Sequence, residues 1–124
     1  MRTLILLSLL LVPSLVWADF DDGMSAYENA DYHTAFSEFL LEAQSGLPTA
    51  QHNIGAMYFH GEGVDKDLIH AYAWMKLASQ RGDSDSDDAL EIIMFTMKSG
   101  QLQKADMLAR KLSLRYHLPL NSRR

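Results

Sequence analysis

The chain has 124 residues, 48% of them hydrophobic, which is enough to enclose one apolar core in a single domain. Its 16 Asp and Glu against 11 Lys and Arg give a net charge of −5. An acidic surface repels phosphate backbones, so nucleic acid is not expected as a partner. The absence of Cys excludes both a disulfide framework and a lipid anchor attached to a cysteine.

The first 18 residues have the layout of a secretory signal peptide. Arg2 supplies a positive charge, an apolar run follows over residues 4–12, and Val16 and Ala18 place small side chains before a cleavage point. An uncleaved anchor is the alternative, but the uncharged stretch is interrupted by Pro13 and falls short of the roughly 20 residues that a spanning helix needs. We therefore expect cleavage after Ala18 and export, to the periplasm in a Gram-negative bacterium and otherwise by secretion. No integral membrane segment is expected in the processed chain.

From residue 22 onward, apolar residues recur at three- and four-residue spacing, and no stretch alternates with a period of two. Asp31, Pro48 and either Asp65 or Asp67 are placed to begin helices. Helices are expected to stop near glycines with left-handed backbone, at Gly46, Gly61, Gly63, Gly82 and Gly100. The pattern predicts helices near residues 22–30, 31–45, 48–60, 66–81, 86–99 and 101–116, followed by a disordered tail over residues 119–124.

The second helix of each predicted pair repeats one arrangement of side chains. Segments that start at residues 31, 67 and 101 align without gaps, and small residues coincide at Ala35, Ala71 and Ala105. Two further positions of the alignment hold mostly larger apolar residues. One holds Tyr32, Leu68 and Leu102, and the other holds Phe39, Met75 and Ala109. A small residue in each copy lets a neighbouring helix approach, and a single hairpin cannot bury its apolar face alone. The sequence therefore predicts an all-α fold of αα-hairpin repeats, with about six helices in three stacked hairpins.

The middle hairpin has a turn about five residues longer than the other two, with the sequence HGEGVDKD at residues 60–67. Gly61 and Gly63 can take positive φ without strain, which suits a tight reversal. A phosphate-binding loop would instead need a preceding strand and a Lys before Ser or Thr. The stretch is therefore interpreted as a turn.

A regular set of small, aromatic and glycine residues runs through this hairpin and its turn. Its members are Ala50, Ile54, Gly55, Tyr58, Gly61, Gly63, Val64, Asp67, Ala71, Trp74, Ala78 and Gly82. This set resembles the Sel1-like repeat, a relative of the tetratricopeptide repeat, with one clear copy at about residues 48–83. The flanking hairpins look like degenerate tetratricopeptide-type units. The resemblance implies a right-handed superhelix over residues 19–118 that acts as a scaffold or adaptor, and gives the matching residues a structural role.

Metal and catalytic chemistry find little support among the polar residues. The five His include no i,i+4 pair, and the only arrangement worth considering is His52 with His60, eight residues apart, and Glu62. Residues 82–88, GDSDSDD, start like a calcium loop, but the sixth loop position holds Asp88 where Gly is required. Acidic residues here are expected to begin a helix. No catalytic, metal or cofactor residue is expected, and the chain is predicted not to be an enzyme.

The first helix of each hairpin is expected to line an inner face that binds another protein or a peptide. The candidate residues, chosen by helical spacing, are Ser25, Glu28, Thr49, His52, Ala56, Phe59, Asp88, Glu91, Phe95 and Lys98. Phe59 and Phe95 would be the anchors, or would fill gaps between hairpins. The apolar segment 90–97 indicates self-association as another possibility, with a homodimer as its simplest form. The alternatives to an adaptor are thus a small envelope enzyme or metal-dependent hydrolase, and a structural self-association domain.

Overall fold

Six α-helices and no strand make up residues 18–120, the part of the chain that this computed structural model describes, with side chains from residue 22 onward. The helices are α1 (Ala18–Glu28), α2 (Tyr32–Gln44), α3 (Pro48–His60), α4 (Leu68–Gln80), α5 (Ser84–Thr96) and α6 (Gln101–Arg115). The predicted all-α repeat fold is confirmed. Residues 1–17 of the predicted signal peptide (1–18) and residues 121–124 of the predicted tail (119–124) lie outside the described residues, so cleavage and export stay predictions.

Side-chain caps set the start of two of these helices. The Asp31 carboxylate accepts a hydrogen bond from the Thr34 N–H at 3.3 Å, and the Asp67 carboxylate accepts one from the His70 N–H at 3.0 Å. Such caps satisfy backbone donors that the first helical turn leaves unpaired. Asp67, and not Asp65, therefore begins α4.

Helix α5 begins at Ser84 and ends at Thr96, whereas the predicted bounds are 86–99. The backbone leaves the helix at Met97, which is extended at φ −73° and ψ 142°. The next N–H, on Lys98, donates to the Gln101 side chain at 2.8 Å instead of continuing the helical ladder. The early end of α5 is thus a cap formed with the following helix, which the apolar pattern alone does not encode.

The long turn of the middle hairpin packs against the first hairpin. Gly61 and Gly63 have φ of 69° and 70°, in the left-handed region. A Cβ on Gly63 would overlap the Tyr32 carbonyl oxygen and lie 2.6 Å from its carbonyl carbon. A glycine is therefore required at position 63 for two reasons: the backbone has a positive φ there, and the Tyr32 backbone leaves no room for a Cβ.

The helices pack in sequence as a short stack. α1 packs on α2 and α3 on α4, α2 contacts α3, and both α5 and α6 pack on α4 without packing closely on each other. Ala35, Ala71 and Ala105 are fully buried, as the repeat alignment predicts. Gly55 explains the closeness of α3 and α4, because a Cβ there would lie 2.8 Å from Met75 Cγ and 3.1 Å from the Ala71 carbonyl oxygen.

Two apolar clusters form the core. The larger joins the first two hairpins around Phe39, Ile54, Met57, Trp74 and Leu77, and it also buries Leu118 beyond the last helix. Leu120, inside the predicted tail, packs partly buried against it. The smaller cluster joins α4 to the last two helices through Ala71, Tyr72, Met75, Ile93 and Ala105. In the described part of the chain, no helix is both long and apolar enough to cross a membrane.

Candidate binding groove

An apolar groove with a volume of about 240 Å³ lies between α3 and α5, the first helices of the second and third pairs. Its lining comprises His52, Ala56, Phe59 and His60 from α3, Met75 from α4, and Ala89, Ile92 and Ile93 from α5. The volume is below the roughly 300 Å³ at which pockets for small molecules begin. It suits an apolar side chain of a larger partner better than an enclosed metabolite.

A polar contact between His52, Asp83 and Ser86 joins the two walls at one end of the groove. The His52 Nδ1 atom lies 2.8 Å from Ser86 Oγ and 3.1 Å from Asp83 Oδ2, and Ser86 Oγ donates to the same carboxylate oxygen at 2.5 Å. Because a carboxylate accepts hydrogen bonds, the proton on the His52 ring is assigned to Nδ1. The contact fixes the start of α5 against α3.

This His, Asp and Ser do not form a nucleophilic triad. In a triad the carboxylate and the hydroxyl contact opposite ring nitrogens, whereas here Asp83 and Ser86 approach the same nitrogen of His52. Ser86 is also fully buried. Its hydroxyl therefore holds the helix start in place and is shielded from any substrate.

Phe59 forms part of the groove wall and is half-buried against the smaller core cluster. The Lys66 ammonium lies 5.5 Å from the centroid of its ring, and the His60 ring stands nearly perpendicular to it with a centroid-to-centroid distance of 5.1 Å. These contacts hold the ring in position. On the opposite wall, Ile92 is 58% exposed, so the groove offers apolar surface to solvent on both sides.

Phe95 lies outside the groove and is 94% exposed, so it does not fill a gap between hairpins. Ile93 packs into the core toward α4, and a residue two positions later stands about 200° further around the helix. Phe95 therefore points away from α4, where it shares a shallow depression with Glu91 and Met94. Asp88 is exposed as well.

The structure brings only part of the predicted binding face together. His52, Ala56 and Phe59 line the groove, while Asp88, Glu91 and Phe95 form the outer face of α5. The remaining candidates, Ser25, Glu28, Thr49 and Lys98, are exposed elsewhere and line none of the described depressions between helices. Sequence reasoning missed Met75, Ala89 and Ile92 in the groove. The sequence signal that could have identified the α5 wall of the groove is Ala89, a small residue four positions before Ile93 and on the same side of the helix.

A second depression of about 150 Å³ lies between α1 and α3. Met24 and Tyr27 line it from α1, and Asn53, Ala56 and Met57 from α3, with Phe39 of α2 beneath. Ala56 lines both depressions. The two depressions thus adjoin at Ala56 and form a row of hollows between successive first helices.

Glu62, which was considered as a metal ligand, instead contacts the first hairpin. Its hydrogen bond to the Tyr27 hydroxyl, together with burial and the carboxylate charge, raises the pKa of Tyr27 to about 12. His52 is engaged by Asp83 and Ser86. No group of three or more His, Asp or Glu that could hold a metal occurs within residues 22–120.

The capping residue Asp67 is part of a second local network. Burial alone would raise its pKa, but hydrogen bonds from the backbone N–H and the ring of His70, with further backbone help from Ile69, lower it overall. The His70 ring in turn stacks on Tyr58 at a centroid distance of 4.8 Å. These contacts order the start of α4, and none of Asp67, His70 and Tyr58 lines the groove.

Comparison with known proteins supports the repeat architecture. Residues 48–83 match the family model of the Sel1 repeat. The chain is 38% identical over 53 residues to the chitin synthase regulator SKT5 of Saccharomyces cerevisiae, a match that covers 43% of this chain and 8% of the yeast protein. It superposes with a TM-score of 0.74 on the crystal structure of a protective antigen from uropathogenic Escherichia coli strains, which displays an SLR fold. That match has 24% identity and covers 84% of this chain and 25% of the antigen, so the likeness shows the fold alone.

Proposed function

Because the chain carries a Sel1 repeat within a helical fold of the SLR type, we propose that it is an exported protein that binds a segment of another protein. The groove between α3 and α5 is the binding site. The observation that carries this proposal is an open apolar groove whose two walls carry Phe59 and Ile92 and are joined at one end by the His52 contact. Folds of hairpin repeats commonly use such surfaces to bind partners.

An apolar side chain of the partner would enter the groove as the anchor. The described lining consists mainly of carbon surface from Ala56, Phe59, Met75 and Ile92. Residues that bury an apolar side chain in such a pocket account for most of the binding energy of protein interfaces. The partner segment would continue along the row of hollows toward α1.

The chain is proposed to act without catalysis. It has no Cys, and the contact of His52 with Asp83 and Ser86 has the geometry of a structural link. The similar yeast protein is named as a regulator of chitin synthase, which fits a protein that acts on an enzyme without being one. The hydrolase alternative with His52, His60 and Glu62 has no comparable support, because both histidines line the groove while Glu62 contacts Tyr27 of the first hairpin.

Export is proposed from the N-terminal sequence. Arg2, the apolar residues 4–12 and the small residues before position 19 form a secretory signal pattern. In a Gram-negative bacterium the processed chain would reside in the periplasm. Fractionation of cells that express the tagged chain, with mass spectrometry of its N-terminus, tests this: recovery of a cytoplasmic chain that retains residue 2 would refute it.

The groove is tested with peptides that are selected from a displayed random library for binding to the full chain. We expect selected peptides to share an apolar anchor and to bind Ile92→Asp at least about tenfold more weakly, since losing an anchor contact costs about 2 kcal/mol. Leu41→Asp is the matched control, because Leu41 is similarly exposed, at 64% against 58%, but lies on α2 outside the groove. Equal loss of affinity in both variants, or undiminished affinity of Ile92→Asp, would show that the groove is not the site. Circular dichroism establishes that both variants remain folded.

A further inference from the structure

The outward faces of the last two helices carry an unusual share of exposed apolar surface. Among the described residues, seven large hydrophobic side chains are exposed, and four of them stand on these faces: Met94, Phe95, Met107 and Leu114. Leu41, Leu47 and the groove residue Ile92 are the others. The end of a helical repeat stack normally has a polar outer surface, because no further repeat covers it. An apolar end therefore indicates that something packs there.

Both apolar faces point away from α4. Ile93 of α5 and Ala105 of α6 are buried in the core cluster that contains α4. Phe95 and Met107 each follow by two positions, so each stands about 200° around its helix, on the side away from α4. Leu114 follows Met107 by seven residues and shares its face. Each of the two helices thus presents an apolar face that no other described element covers.

The two faces carry opposite charges. α5 contains Asp85, Asp87, Asp88 and Glu91 and no basic residue. α6 contains Lys104, Arg110, Lys111 and Arg115, all exposed, and its single acidic residue, Asp106, pairs with Lys76 at 2.6 Å. Asp88 and Glu91 on α5, and Arg110 and Lys111 on α6, take part in no ion pair within residues 22–120.

We propose that two copies of this chain pair through these faces about a twofold axis, with α5 of each copy against α6 of the other. A twofold axis places the acidic helix of one copy opposite the basic helix of its partner twice in the same interface. The exposed apolar side chains then meet at the centre, with the charges around them. This dimer goes beyond the proposed partner binding, because it uses the outer face and leaves the groove open.

The size of the surface predicts a dimer of modest affinity. Helices of 13 and 15 residues are about 20 Å long and about 10 Å wide, so their two outward faces together project roughly 400 Å². Side-chain relief increases the accessible area, but specific interfaces bury about 800 Å² on each partner. Dissociation in the micromolar range is therefore expected, and it should weaken at high salt.

Charge reversal tests the proposed pairing. The variant Asp88→Lys/Glu91→Lys replaces two acidic side chains of α5 with basic ones, and Arg110→Glu/Lys111→Glu replaces two basic side chains of α6 with acidic ones. Each variant alone therefore brings like charges together at these four positions and should sediment as a monomer in an analytical ultracentrifuge. An equimolar mixture should regain a two-chain species, because both α5–α6 pairs are complementary again. A wild type that stays monomeric throughout the micromolar range, or variants that still self-associate, would overturn the proposal. A mixture that forms particles larger than two chains would overturn the twofold arrangement.

The apolar centre is tested separately with Phe95→Lys. We expect at least tenfold weaker self-association, whereas the control Leu41→Lys, at an exposed apolar position on α2, should dimerise like the wild type. Unchanged dimerisation of Phe95→Lys would place the contact elsewhere. Peptide affinity at the groove, measured in the same variants, should stay unchanged, so the failure of the dimer and the failure of the groove can be distinguished. All chains are compared in the same N-terminal form, with their fold checked by circular dichroism.

Discussion

Gly63→Ala is the substitution that most directly tests how the long turn works. Gly63 has a φ of 70°, and a Cβ there would overlap the Tyr32 carbonyl oxygen and lie 3.1 Å from the His33 nitrogen. The obstructing atoms belong to the backbone at the start of α2, so no side-chain rotation relieves the overlap. The turn would have to separate from the first hairpin.

Gly61→Ala is a matched control within the same turn. Gly61 has a φ of 69°, and a Cβ there would come no closer than 3.4 Å to Lys66, which is ordinary contact. Both variants incur about 1 kcal/mol of left-handed backbone strain. Both also gain the same small stabilisation from a less flexible unfolded chain. The difference between them therefore isolates the contact with Tyr32.

The steric overlap should destabilise Gly63→Ala by about 1–3 kcal/mol more than Gly61→Ala, the range for overpacking in a well-packed site. Thermal unfolding followed by circular dichroism should show a midpoint at least about 4 °C lower for Gly63→Ala than for Gly61→Ala, because about 1 kcal/mol corresponds to about 4–8 °C in a domain of this size. Equal shifts in the two variants would refute the packing role of Gly63, because they would mean that the turn does not press against the first hairpin.

Two further substitutions test the electrostatic contacts of this hairpin. Asp67→Ala should lower the free energy of unfolding by about 1 kcal/mol because the helix cap is lost, while Asp67→Asn should retain most of the stabilisation by the cap. Urea unfolding at neutral pH measures both variants, and equal losses would contradict a capping role. Because the Asp67 pKa is lowered in the fold, its stabilisation is present above the unfolded pKa of about 4 and is lost as pH falls through the folded value. Glu62→Gln should return the pKa of Tyr27 from about 12 toward 10, as read from phenolate absorbance with Tyr27→Phe as reference, and an unmoved titration would exclude their hydrogen bond. In the wild type the neutral phenol stabilises the fold below pH 10, and this contribution is lost as pH rises from about 10 through about 12.

Local chemistry made most of the fold predictable. Asp31 and Pro48 begin helices as expected, and the turn glycines take positive φ. The alignment that placed Ala35 and Ala105 at equivalent positions also predicted their burial, because a small side chain repeated at one position indicates close helix packing. These features depend on residues a few positions apart, which sequence reasoning can assess.

The orientation of α5 could not be predicted in the same way. Residues 90–95 read Leu-Glu-Ile-Ile-Met-Phe, so apolar side chains surround the helix and spacing does not select one face. Contact with Met75, far away in the sequence, selects Ile93 for the core and leaves Phe95 94% exposed. The predicted binding residues Asp88, Glu91 and Phe95 therefore lie on the outer face of α5, while Ala89, Ile92 and Ile93 face the groove.

Long-range polar contacts were equally inaccessible to the sequence. His52 and Ser86 are 34 positions apart, and the Gln44 amide donates to the Tyr116 hydroxyl across 72 positions at 3.1 Å. Neither pair belongs to a recognisable motif. Each becomes visible only once the stacking of the helices is known.

The same stacking explains why the groove is open at one end. His52 is near the start of α3 and Ser86 near the start of α5, so their contact joins the two helices where both begin. Phe59 is near the end of α3, and α5 ends early at Thr96, where no comparable polar contact joins these two helices among the described side chains. Because the walls are fixed at their first turns and meet only apolar surface further along, an entering side chain would contact Phe59 and Ile92 before it reached His52. The polar link thus sets the width of the groove without occupying the surface that a partner would bury.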